Sequence, residues 1–128
     1  METMSEFITA GGNTSAEARE WATKEGLTVR TPADNELFID IDNSLEFDQF
    51  VRNYDIVDRF AGIQNVFTTP SRSKPEGKHI VVILYNKITP LERIALQAIL
   101  GSDRRREGHS IIRLQDGDRE PTLFFEKA

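Results

Sequence analysis

Asp40-Ile41-Asp42 ends an alternating run, 36–42, with two carboxylates one residue apart. If the run is extended, both side chains leave the same face of a strand, roughly 6.5–7 Å apart. At an effective dielectric of about 20 they repel by about 2.5 kcal/mol. Lysine or threonine would keep a strand face soluble without that repulsion. Two acids on one face gain a purpose when a divalent cation lies between them. The competing reading is a solvated face, with Asp42 starting the turn into the next element. His79 stands directly after a polar loop, and Asp103 follows an apolar stripe. A third acid, a histidine and nearby cations around Asp-x-Asp suit a metal-nucleotide site. There Mg²⁺ or Mn²⁺ and the cations would neutralise a triphosphate, and catalysis would be positioning and electrostatics.

The elements that must position these groups follow from pattern. In 36–42, Leu37, Ile39 and Ile41 alternate with Phe38, Asp40 and Asp42, which predicts a strand. Asn43, with Glu46 three residues on, starts a helix whose Phe47, Phe50, Val51, Tyr54, Val57 and Phe60 form one face, and Gly62 ends it. A strand is expected at 66–69, a loop at 70–77 and a largely buried strand at 78–85. Thr89-Pro90 with Glu92 opens a second helix that Gly101 terminates. Beyond it, 102–108 reads as a polar segment, 109–114 as extended, 116–118 as a turn and 122–126 as a last strand. At the other end, 1–13 reads as a flexible terminus. Thr14 with Glu17 caps a short N-terminal helix, and 27–30 reads as a short strand.

The core order strand, helix, strand, strand, helix, strand is that of ferredoxin-like and RNA-recognition-motif-like α+β domains. Helices cover one face of such an antiparallel sheet, and the other face is free for ligands. Leu37, Ile39 and Ile41 then point into the core, and Asp40 and Asp42 take the open face. The first and third strands are central neighbours, so a His79 on the open face lies beside the acids. We expect one compact domain over 14–128.

Composition narrows the classes. With no cysteine among 128 residues, disulfides and thiolate sites are excluded, and with two histidines a zinc site built from several histidines is not expected. A net charge of −5 argues against coating nucleic acid by overall charge. It leaves room for local basic groups at Arg104-Arg105-Arg106 and around Arg72, Lys74 and Lys78. No apolar run is long enough to span a membrane and no signal peptide is evident, so a cytoplasmic location is expected, that of the host cell if the chain is phage-encoded.

The acid pair, the Ser/Gly loop ending in histidine and the later aspartate together resemble the archaeo-eukaryotic primase, or primase-polymerase, superfamily. Its core is a modified RNA-recognition-motif-like fold with an Asp-x-Asp, a Ser-x-His and a later Asp motif. Phe38 to Asp42 is similar to the first, 71–79 to the second and 100–103 to the third. The serines stand six and eight residues before His79, with Lys78 adjacent to it. The run 92–103 is also similar to one in small bacteriophage proteins, so the chain resembles a minimal phage member. The resemblance implies Asp40, Asp42 and Asp103 as catalytic metal ligands for Mg²⁺ or Mn²⁺. It implies Ser71, Ser73, Lys78, His79 and Arg113 as contacts to a nucleoside triphosphate or to single-stranded DNA or RNA. Metal-dependent nucleotidyl transfer, or nucleotide and nucleic-acid binding, in phage DNA replication is the expected function. The alternative is a non-catalytic module on the same fold that binds a phage or host replication protein.

Plainer roles compete at several of these positions. Asp103 can be turn or cap chemistry, Arg113 can pair with an acid, and Arg104 to Arg106 can answer a helix C-terminus. Phe124-Phe125 is expected to pack in the core rather than stack bases. An exposed edge at the last strand is one place where a dimer could form.

Overall fold

The computed structural model describes residues 15–70, 77–119 and 121–127. The expected flexible terminus, Thr14, Ser71 and Ser73 lie outside them. Helix α1 (Ser15–Lys24) leads to β1 (Leu27–Arg30) and β2 (Glu36–Ile41). Helix α2 (Ser44–Ala61), β3 (Ile63–Pro70) and β4 (Lys78–Leu84) follow. Helices α3 (Pro90–Ile99) and α4 (Arg104–Gln115) precede β5 (Phe124–Lys127). The fold is α+β, with helices packed on an antiparallel sheet of order β2-β4-β3. Strands β1 and β5 form a separate antiparallel ribbon. Among the described residues no helix is long and apolar enough to cross a membrane.

Local chemistry sets the helix ends. Asn43 Oδ1 accepts from the Glu46 N–H at 2.9 Å, and Gly62, at φ 72°, ends α2 with its N–H on the Asp58 carbonyl. Thr89 and Glu92 exchange both bonds of a capping box, with Pro90 in the first turn of α3. Leu37, Ile39 and Ile41 face Phe50 and Val57 of α2 and Leu96 of α3 in the main core. Helices α2 and α3 approach closely at Gly101. Its φ is +85°, and a Cβ there would stand 2.6 Å from the Glu46 carbonyl oxygen. Gly101→Ala is therefore expected to destabilise the fold by about 2–3 kcal/mol through backbone strain and this clash. A urea midpoint unchanged from wild type would refute that.

Two expectations are corrected. Residues 109–114 are not extended, and 102–108 is not an irregular segment, because Arg104–Gln115 is helix α4. Its buried residues are Arg106, Glu107, Ser110 and Arg113, whereas Ile111 and Ile112 are each 43% exposed. The helix is polar inside, so the usual apolar periodicity is absent and the Ile-Ile pair mimics a strand.

The last strand, β5, does not extend the main sheet but pairs with β1. Side chains and one backbone amide take its place on the free edge of β2. Arg93 Nε donates to the Glu36 carbonyl at 2.8 Å, and Gln97 Oε1 accepts from the Phe38 N–H at 2.8 Å. Arg106 Nη1 donates to the Phe38 carbonyl. Ser102 Oγ accepts from the Asp40 N–H at 3.1 Å, and the Asp103 N–H donates to the Asp40 carbonyl at 2.9 Å. These bonds satisfy a buried edge that would otherwise be costly to leave unmade. The opposite edge, β3, is blunted by a register shift near Ile63 and Asn65, by Asn65 Oδ1 on the Val66 N–H, and by Pro70.

The ribbon crosses part of the sheet face away from α2 and α3. Phe124 enters a small apolar cluster with Phe38 and Val81, while Phe125 turns toward Ala18, Trp21 and Ala22 of α1. Both phenylalanines are buried in packing, as expected.

Candidate functional site

Pairing of β2 with β4 sets Asp40 opposite His79. Cross-strand partners share a face, and this is the face away from α2 and α3, because Leu37, Ile39 and Ile41 occupy the other. His79 Nε2 stands 3.6 Å from Asp40 Oδ1, within ion-pair reach when the imidazole is protonated. Their side chains are 19% and 23% exposed. The His79 ring stacks on Phe124 with centroids 4.4 Å apart, which fixes its plane. Asp40 is fixed through its backbone, since Ser102 binds its N–H and Asp103 its carbonyl on the free edge of β2.

A groove of about 200 Å³ runs from His79 between the ribbon and the sheet. His79 and Thr69 line one end, and Val81 and Ile83 line its apolar floor. Phe67, half exposed, and Phe124 line it midway, and Arg30 and Glu36 stand at the far end. Arg30 Nη2 lies 3.5 Å from Glu36 Oε2, and the guanidinium sits 5.0 Å from the Phe38 ring centroid. Pockets for drug-sized ligands span roughly 300–1,000 Å³, so this groove suits one ring system with the rest of a ligand outside.

Burial lifts the Asp40 carboxyl from its ordinary 3.8 to about 7. The nearby Arg106 opposes the rise, while Asp42, Asp103 and Glu46 add to it. The folded state thus holds a proton on Asp40 that the unfolded chain releases between about pH 4 and pH 7. Where the folded state binds more protons, stability falls as pH rises. Asp40 therefore favours folding at low pH and loses that contribution as pH climbs through 7. Asp40→Asn is expected to raise stability by on the order of 2 kcal/mol at pH 8 and to change it little at pH 4. Thermal unfolding at both pH values checks this. Equal gains at both would remove the proton linkage.

The remaining predicted residues scatter. Asp42 continues past β2, where its N–H donates to Glu46 Oε1 at 2.6 Å. Asp103 lies beside Asp40, but its carboxylate caps α4, with Oδ1 accepting from the Arg105 N–H at 3.2 Å. Among the described residues, no group of three or more histidine or acidic side chains is arranged to hold a metal ion. Lys78 pairs with Ile41 on the helix-covered face and sets Nζ 4.0 Å from the Phe47 ring centroid, so it does not share the groove with His79. Arg113 is buried in α4, with Nη1 donating to the Pro121 carbonyl at 3.3 Å. Burial and the neighbouring Arg106 guanidinium lower its pKa to about 10, against the pull of Asp118, and it stays charged at neutral pH. Such a residue does not reach a ligand at the groove. Arg104 to Arg106 form the first turn of α4 and so stand at a helix N-terminus. Arg104 and Arg105 are exposed, while Arg106 is buried against Glu107 at 2.8 Å.

Sequence reasoning passed over the groove's Arg30, Glu36, Phe67 and Thr69. Phe67 and Thr69 do sit two apart, in register with Val81 and His79, and that alternation was the available signal. The buried Gln97-Ser102-Arg106-Glu107 network also escaped it. Comparison with family models, curated proteins and solved structures finds no match to this chain.

Proposed function

We propose that this chain binds a nucleotide across the sheet face opposite α2 and α3. One observation carries the reading. His79, with Asp40 3.6 Å behind it, lines the end of a groove that also holds the half-exposed ring of Phe67. The base lies on Val81 against Phe67, and the phosphates extend toward His79. An Asp40 carboxyl that titrates near neutrality repels phosphate less than a fully ionised one. Asp42 and the ionised form of Asp40 would hold Mg²⁺ or Mn²⁺ on a triphosphate. Transfer of a nucleotidyl group onto single-stranded DNA or RNA is the chemistry that the primase-polymerase resemblance implies for such a site. Asp103 is engaged at its helix cap.

The test is calorimetric titration of a nucleoside triphosphate, with and without Mn²⁺, into wild type, Phe67→Ala and Asp40→Ala/Asp42→Ala. Stacking on an aromatic side chain contributes about 1–3 kcal/mol per base. Phe67→Ala should therefore weaken binding about tenfold, and the double variant should lose any metal-dependent part. A folded wild type that binds nothing at millimolar nucleotide overturns the reading. The protein-partner reading would then lead, for one reason on the surface. Phe60 of α2, Tyr85, and Leu91 of α3 are large apolar side chains that stand 59%, 71% and 62% exposed.

A further inference from the structure

We propose that the far end of the groove selects guanine, through Glu36 and Arg30 acting as an acceptor and a donor on one base edge. This rests on the nucleotide reading above and names its base. Glu36 and Ile83 are cross-strand partners, as are Phe67 and Val81 one pair-step along and His79 and Thr69 beyond. A ring lying on Val81 between Phe67 and Phe124 thus has one edge toward His79 and the other toward Arg30 and Glu36. With the sugar and phosphates on the His79 side, the outward base edge meets the charged pair.

The chemistry of that pair is specific. The Glu36 carboxylate is held at one tip, since Oε1 accepts from the Ala33 N–H at 2.8 Å and keeps a second lone pair for a ligand donor. Its other oxygen faces Arg30 at 3.5 Å, longer than a direct hydrogen bond. An ionised carboxylate only accepts, and a guanidinium only donates. Guanine presents two adjacent donors, N1–H and the exocyclic amine, beside the O6 acceptor. The carboxylate takes the two donors and the guanidinium takes O6. Adenine turns a ring-nitrogen lone pair toward the carboxylate, cytosine does the same, and uracil offers a single N–H between two carbonyls. Each of these leaves a like-sign contact or an unmatched group in a partly enclosed site, and rejection of that kind discriminates strongly. Arg30 is 44% exposed and Glu36 17%, so the guanidinium is open to a ligand while the carboxylate meets it from a fixed position.

The experiment titrates guanosine, adenosine, cytidine, uridine and inosine monophosphates into the full chain. Guanosine monophosphate should bind about tenfold or more tightly than the other common nucleotides, the discrimination typical of a good bidentate pair. Inosine monophosphate, which lacks the exocyclic amine, should lose most of that advantage. Glu36→Gln keeps an acceptor for the Ala33 N–H and should bind all bases alike, and Arg30→Lys should show a reduced preference. Equal affinities across the bases, a preference for another base, or equal binding of guanosine and inosine nucleotides by wild type overturns the proposal while leaving nucleotide binding intact. Absence of binding by every nucleotide overturns both. If Glu36→Gln does not fold, the guanosine-inosine comparison on wild type decides alone.

Discussion

Glu107→Ala is expected to destabilise the protein by about 3–5 kcal/mol, a large share of the stability of a domain of this size. Three donors converge on this one carboxylate. Gln97 Nε2 donates to Oε1 at 2.8 Å, and Ser102 Oγ and Arg106 Nη1 donate to Oε2 at 2.7 and 2.8 Å. The same three side chains hold the edge of β2 at Phe38 and Asp40. Removing the acid leaves the 3%-exposed Arg106 without its buried counter-charge and loosens the clamps on the strand. Burial pushes the Glu107 carboxyl above its ordinary range, against the pull of Arg106 and its hydrogen bonds. The pair is thus costly to bury and worse to break. Replacing both partners by apolar residues of like size should cost much less than breaking the pair. Urea unfolding of Glu107→Ala, Arg106→Met and Arg106→Met/Glu107→Leu forms the cycle. Single losses that simply add in the double variant would show that the two do not act as a unit.

Phe124→Ala should cost about 3–5 kcal/mol, as large-to-small changes at buried aromatic positions do. The ring stacks 4.5 Å from Phe38 and 4.4 Å from His79, and Arg106 lies 4.8 Å from its centroid. It joins the β1–β5 ribbon to the main sheet and forms one wall of the groove. Its loss opens the groove into a larger cavity, because the ribbon is held from its other side by α1 and cannot simply settle. Phe124→Leu should lose only about 1–2 kcal/mol, since it refills most of the volume. Equilibrium unfolding gives the costs, and the His79 ring resonances report the lost stack. A Phe124→Ala variant within 1 kcal/mol of wild type, with those resonances unmoved, would show that the ribbon does not depend on this contact.

Much of the scaffold was legible in the sequence because its signals are local. Asn43, Thr89-Pro90 and Glu92 announce helix starts that need no tertiary information, and the alternation of 36–42 puts Leu37, Ile39 and Ile41 on the core side. The opposition of Asp40 and His79 followed from topology, given the split β-α-β order. Only the tertiary structure decided the remainder. Helix α4 hides a polar face, so its pattern on paper is inverted. The edge of β2 is closed by side chains from 93, 97, 102 and 106, residues distant in sequence whose hydrogen bonds have no periodic signature. The ribbon that brings Arg30 and Phe124 over the sheet joins the two ends of the described chain. The sequence by itself determined which residues could do chemistry and that Asp40 leaves the strand on the face opposite Leu37, Ile39 and Ile41. Long-range packing decided which of them are spent on holding the fold, because a buried carboxylate or guanidinium must find partners wherever the chain brings them.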